Sequence, residues 1–138
     1  MDTDSDDDNP PTMINVYVTG YSKTGKTSIV KRIALNTFNI IEASTKCIEI
    51  YKQISLNRSF KIKLWDVPFH LFDTIPLHVN DLVLYVVKDK IPPMPKTPVR
   101  LWLIGRDEPK INIPFVKIDA MCNTGIKQLI QKIIHSFS

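Results

Sequence analysis

The stretch from Ile14 to about Phe38 limits this chain's architecture more than any other. Ile14-Asn15-Val16-Tyr17-Val18-Thr19 is apolar and β-branched, the pattern of a buried strand. Gly20-Tyr21-Ser22-Lys23-Thr24-Gly25-Lys26-Thr27 follows at once. Beyond it, Ile29, Val30, Ile33, Ala34 and Phe38 recur on one stripe of a helix running from Lys26 to about Phe38. A strand feeding a helix through two glycines five residues apart commits the chain to a sheet with its loop at the strand end.

The loop matches G-x-x-x-x-G-K-[ST] in full, and its strand-to-helix setting separates the pattern from chance. Glycines let the backbone wrap closely, so that N–H groups point inward. A helix N-terminus adds partial positive charge where a phosphate would sit. Lys26 is placed to reach β- and γ-phosphates, and the Thr27 hydroxyl to serve Mg²⁺. The motif therefore implies binding of a nucleoside triphosphate.

The remaining chain reads as α/β. Two alternating strands, about Cys47–Ile54 and Phe60–Trp65, flank a hairpin turn at Leu56-Asn57-Arg58-Ser59. Leu82–Val87 and Val99–Ile104 are apolar enough for central strands, and Phe115–Ile118 is a short last one. Ile126, Leu129, Ile130, Ile133, Ile134 and Phe137 form the apolar face of a terminal helix, with Asn123 or Thr124 as its cap.

Composition narrows the class. With 138 residues, 43% of them hydrophobic and 23% charged, the chain suits one folded domain with one core. It holds no run of 18 apolar residues for a membrane-spanning helix. Two cysteines, Cys47 and Cys122, make no disulfide framework or zinc motif, so a reducing, cytoplasmic setting is expected. Five of the 14 acidic residues lie in residues 1–9 and Pro10-Pro11 follow, so residues 1–12 read as a disordered acidic tail before a domain at 13–138. The body then carries 18 bases against nine acids. Its lysines are scattered, which favours a solvated surface over nucleic-acid binding.

The region from the phosphate loop onward resembles the Ras-like small GTPases, nearest to the Rab and Arf branches. Thr45 follows Lys26 by nineteen residues, as that family's switch threonine does. Leu64-Trp65-Asp66-Val67-Pro68-Phe69-His70 stands where the family shows W-D-x-x-G-Q. Asp119-Ala120-Met121 looks like the base-contacting S-A-K loop. The resemblance implies a reduced G domain: a P-loop fold with a mostly parallel sheet, one antiparallel strand pair and helices mainly on one face. It implies GTP or GDP as ligand, with Mg²⁺. Gly20, Ser22, Lys23, Thr24, Gly25, Lys26, Thr27 and Ser28 would hold the phosphates, and Asp119, Ala120 and Met121 the base. Thr27, Thr45 and Asp66 would serve the metal, and His70 would position the attacking water.

Three departures bear on activity. Pro68 and Phe69 occupy the stretch of the switch glycine, and proline offers no N–H. His70 replaces the glutamine, which suits slow or partner-dependent hydrolysis. Arg106-Asp107-Glu108-Pro109 stands in place of N-K-x-D, where Asp107 or Glu108 supplies a carboxylate for guanine N1 and N2, or simply a solvated turn. Two readings follow: a small GTPase with a regulatory role of signalling or trafficking type, or a non-catalytic relative acting as adaptor or decoy. A small nucleoside kinase ranks below both, for want of lid and acceptor-site arginines.

Four prolines between Lys88 and Pro98 forbid a crossover helix there, and 106–114 is equally short. One sheet face is thus expected to lack helices. Strand parity groups Tyr17, Lys61, Lys63, Trp65, Tyr85, Arg100 and Trp102 on it, as a surface for a protein partner or a second copy. The C-terminus shows no prenylation cysteine and Asp2 precludes myristoylation, so no lipid anchor is expected.

Overall fold

The structure is a computed structural model that describes residues 10–21, 24–35, 47–88, 91–95 and 99–137, with 52 and 53 described by backbone alone. In chain order the elements are β1 (Thr12–Thr19), α1 (Lys26–Leu35), β2 (Glu49–Ser55), β3 (Phe60–Asp66), α2 (Phe69–Phe72), β4 (Leu82–Val86), β5 (Arg100–Gly105), β6 (Phe115–Lys117) and α3 (Ile126–Phe137). Residues 1–9, the helical extension to Phe38 and Thr45 lie outside the described residues.

The strands form one sheet in the order β2-β3-β1-β4-β5-β6. Among the described strands only the β2–β3 pair is antiparallel; β1 runs parallel to β3 and β4, and β5 to β4 and β6. The hairpin between β2 and β3 closes where the turn residues predict. The Asn57 side-chain oxygen accepts from the Ser59 and Phe60 amides, both at 2.8 Å, and the Leu56 amide donates to the Phe60 carbonyl at 3.0 Å. β1 begins at Thr12, one residue into the expected tail, because the Thr12 amide donates to the Ser59 carbonyl at 2.8 Å.

The helices α1 and α3 cover one face. Ile29, Val30 and Ile33 from α1, and Leu129 and Ile133 from α3, pack on Val16, Val18, Ile62, Leu64, Leu84 and Ile104. This is the apolar stripe of each helix meeting the alternate residues of each strand. No described helix is long and apolar enough to cross a membrane.

The opposite face corrects the sequence reading twice. It is helix-poor as expected, carrying among the described residues only the four-residue α2, yet its centre is not open. Tyr17 and Tyr85 are 4% and 1% exposed, because Phe72, Ile75, Leu77, Ile91 and Ile113 from the connecting segments pack over them. Prolines remove helices, but the loops that replace them still carry apolar side chains. Its β3 flank stays partly open: Lys61, Lys63 and Trp65 on β3 are half-buried, and Met13 is exposed.

Arg100 and Trp102 also lie on the helical face. The register pairs them with Leu82 and Leu84, which point at α1 and α3, and paired residues of a parallel sheet share a face. Trp102 is buried there beneath Lys132, whose Nζ sits 5.0 Å from the ring centroid. Arg100 lies over the Phe137 ring at 4.1 Å and donates to the Ser136 carbonyl at 2.7 Å.

Candidate functional site

Parallel strands place their C-terminal ends at one edge, so the loops leaving β1, β3, β4 and β5 converge there. Gly20 leaves β1 against the end of β4. A Cβ on it would stand 2.6 Å from the Val86 carbonyl oxygen, so only glycine fits. Gly25 has open space around it but a φ of +89°, so its requirement is conformational. Between the two, the Thr24 hydroxyl donates to the Tyr21 carbonyl at 2.8 Å and draws the loop closed. Ser22 and Lys23 lie outside the described residues.

α1 begins at Lys26 and carries no acidic residue in its first turn. Its N-terminal dipole therefore faces the loop without a carboxylate from that turn to balance it. Lys26 is buried, and its ammonium pairs with the Asp66 carboxylate at the end of β3. Asp66 is itself fully buried, a position a carboxylate tolerates when an opposite charge meets it. The β1–β3 register, Val18 against Asp66, is what sets that carboxylate beside the loop's own strand. Thr27 is half-buried and Ser28 buried in the same turn.

Beside this loop lies a cavity of about 290 Å³. Thr24, Gly25, Ser28 and Ile29 form one wall; Val87, Lys88, Gly105, Arg106 and Asp107, from the ends of β4 and β5, form a second. Ile118, Asp119, Ala120 and Met121 form the third. Three segments read separately from sequence are thus brought to one hollow: the phosphate loop, the base-loop candidate, and the stretch that stands in for N-K-x-D. Of the two carboxylates weighed in that stretch, Asp107 lines the cavity and Glu108 does not.

The third wall is built from its own side chain outward. Asp119 and Thr124 exchange two backbone hydrogen bonds of 3.0 Å. The Asp119 carboxylate then accepts from the Met121 amide at 3.1 Å and the Cys122 amide at 3.4 Å. Arg106 approaches its other oxygen at 3.7 Å. From α1, Arg32 donates through Nε to the Ala120 carbonyl at 2.7 Å and through Nη2 to the Met121 carbonyl at 3.4 Å. Sequence reasoning missed Arg32, Lys88 and Arg106. For Arg32 no local signal exists, since its partner stands 88 residues away.

The segment after Asp66 is pinned. The Val67 amide donates to the Val18 carbonyl at 2.9 Å, and Pro68 is buried. The Phe69 ring packs on Tyr21 of the phosphate loop, centroids 4.7 Å apart, and Phe72 meets Tyr85 edge-on at 5.7 Å. The Tyr85 hydroxyl donates to the Pro93 carbonyl at 2.7 Å, and burial pushes its pKa up to about 12. His70 is exposed on α2 and forms no part of the cavity wall.

Among the described residues no group of three or more His, Cys, Asp or Glu side chains stands ready to hold a metal. Asp66 and the Thr27 hydroxyl offer one carboxylate and one hydroxyl near the loop. That donor set suits Mg²⁺, which commonly takes one or two carboxylates and completes its shell with water and phosphate.

No protein-family model matches the chain, and no curated protein matches it. Among solved structures it is similar to Methanosarcina barkeri Roco2 RocCORdC bound to GDP, with a TM-score of 0.65 and 21% sequence identity. The alignment covers 93% of this chain, which spans half (50%) of that one. The likeness is one of fold: a mostly parallel α/β sheet with one antiparallel pair, as expected of a reduced P-loop domain.

Proposed function

We propose that this chain binds a guanine nucleotide, with its phosphates on the loop Gly20–Thr27 and its base and sugar in the adjoining cavity. One observation carries the reading: Thr24 and Gly25 of the phosphate loop, with Ser28 of α1, share a cavity wall system with Asp107 and with Asp119, Ala120 and Met121. A phosphate grip and a base pocket are otherwise independent features, and here they adjoin. The cavity's size suits a nucleoside portion, since whole ligand pockets begin near ~300 Å³. Asp107 favours guanine over adenine, because a carboxylate accepts from both N1–H and the N2 amine. That a protein of like fold was seen with GDP supports the same choice.

In this reading Lys26 turns its ammonium to the β- and γ-phosphates, and the α1 dipole supports the same charge. Ser22, Lys23 and Gly20 complete the loop. Thr27 and Asp66, with Thr45, would hold Mg²⁺, which supplies charge neutralisation on the phosphates when bound. His70 is the residue for water positioning, and its exposure fits hydrolysis that is slow or completed by a partner.

A second reading, constitutive nucleotide binding without turnover, draws on the pinned segment. Buried Pro68 and the Tyr21–Phe69 ring contact tie that stretch to the phosphate loop itself. The first test is to denature freshly purified protein and identify what is released. GDP or GTP supports the proposal, with a Lys26→Ala chain as the control. Adenine nucleotide alone, or no release together with no Mg²⁺-dependent uptake of GDP, overturns it. Turnover lost on His70→Ala with binding retained selects the first reading; absence of turnover in the parent chain removes slow intrinsic hydrolysis and leaves hydrolysis completed by a partner or the second reading.

A further inference from the structure

The cavity's third wall is a surface loop, and something must hold it at a fixed distance from the phosphate loop. Arg32 does so. It sits in the last turn of α1, the helix that opens with Lys26, and its guanidinium donates to two consecutive carbonyls, of Ala120 and Met121. Both of those residues line the cavity, as do Ser28 and Ile29 from the other end of the same helix. A planar fork with several donors fixes orientation as well as distance. One rigid helix of ten residues therefore carries the phosphate grip at its start and the anchor of the base wall at its end.

We infer that Arg32 is a positioning residue for the nucleoside: it sets the base wall against the phosphate loop without itself lining the cavity, and it raises affinity for the base and sugar but not for the phosphates. This deepens the proposal above and rests on the cavity being a nucleoside pocket. A merely structural role, such as capping the end of α1, would weaken every ligand alike.

The test compares two probes on the full chain by titration calorimetry with Mg²⁺ present: GDP, and inorganic tripolyphosphate, which has no nucleoside. Arg32→Ala is expected to weaken GDP about tenfold or more, while tripolyphosphate changes by less than about twofold. Arg32→Lys, with a donor that cannot span two carbonyls in one plane, is expected to fall between. Equal weakening of both probes, or GDP binding left intact, overturns the inference alone. A parent chain that takes tripolyphosphate but not GDP overturns the nucleoside reading and this inference with it. Should Arg32→Ala melt below the working temperature, Arg32→Lys decides on the same criterion: selective weakening of GDP supports, and none overturns.

Discussion

Lys26 and Asp66 stand at the junction of stability and binding, because the same buried ammonium serves the fold and the proposed ligand. Removing one member of a buried pair leaves the other charge poorly compensated, at about 3–5 kcal/mol. Lys26→Ala is therefore expected to lower unfolding stability by about that much in urea titrations. It is also expected to weaken phosphate binding by roughly 10–100-fold, the share of a charge-assisted hydrogen bond. Asp66→Asn keeps an acceptor for the ammonium, so its stability loss is expected to be the smaller. Its binding signature is expected to differ: titrations with and without Mg²⁺ should converge, whereas the proposal expects Mg²⁺ to tighten the nucleotide in the parent chain. Asp107 makes a separate case. An amide in place of its carboxylate would accept one hydrogen bond and donate another, which fits a base bearing a carbonyl at C2 in place of guanine's amine. Asp107→Asn is expected to weaken GDP about 10–100-fold and to strengthen xanthosine diphosphate, as competition titrations would show. An unchanged base ranking would remove Asp107 from the site.

At the scale of elements, α3 is held by few residues, and the expected effects are correspondingly local. Leu129 and Ile133 are its fully buried side chains, at 0% and 1% exposure. Leu129→Ala is expected to cost about 2–5 kcal/mol through lost transfer energy and a residual cavity. Val79→Ala, at 70% exposure, should stay within about 0.5 kcal/mol, and equal melting shifts for the two would contradict the packing described. The same helix shows what the sequence makes legible. Its 3.6-residue stripe, the strand alternation and the phosphate loop are local patterns, so each is readable from neighbouring residues. What a strand presents to which face is not local. Character and parity within β5 suggest the bare face for Arg100 and Trp102, but the β4–β5 register sets them on the other. Local chemistry does place one bound: α2 starts at Phe69, directly after Pro68, since proline is compatible with a helix start. In the candidate site, the loop and the Asp119–Met121 stretch are expected from local pattern, whereas Arg32 has no such signal, because its contact with the Ala120 carbonyl spans 88 residues.

For the whole molecule, the loop-covered face is expected to contribute to behaviour at alkaline pH. Where crossover helices are missing, Tyr17 and Tyr85 are sealed by short connections, and their hydroxyls lose water. Burial, joined by Asp81, raises the Tyr17 pKa; burial raises Tyr85 as well, to about 12 from an ordinary 10.0, with Asp73 and Tyr21 adding to it. On β2, Tyr51 is raised by its burial and by Glu49 and Asp66. In each case the folded chain keeps a proton that the unfolded chain releases. Stability from these groups is therefore whole below the unfolded value near 10.0 and is lost as pH rises through the folded value, so for Tyr85 the window runs from 10.0 to about 12. Other groups titrate in the same range, so the comparison that isolates Tyr85 is the difference between the parent chain and Tyr85→Phe. The variant loses the hydrogen bond to the Pro93 carbonyl, a cost of about 0.5–1.5 kcal/mol at neutral pH. It also loses the titration, so its stability should decline less steeply above 10.0 and the gap between the two chains should narrow. Urea unfolding from about pH 8 to about pH 12 measures this directly. Parallel curves would mean that Tyr85 reaches water, and that the prolines leave this face more open than the packing of Phe72 and Ile91 requires.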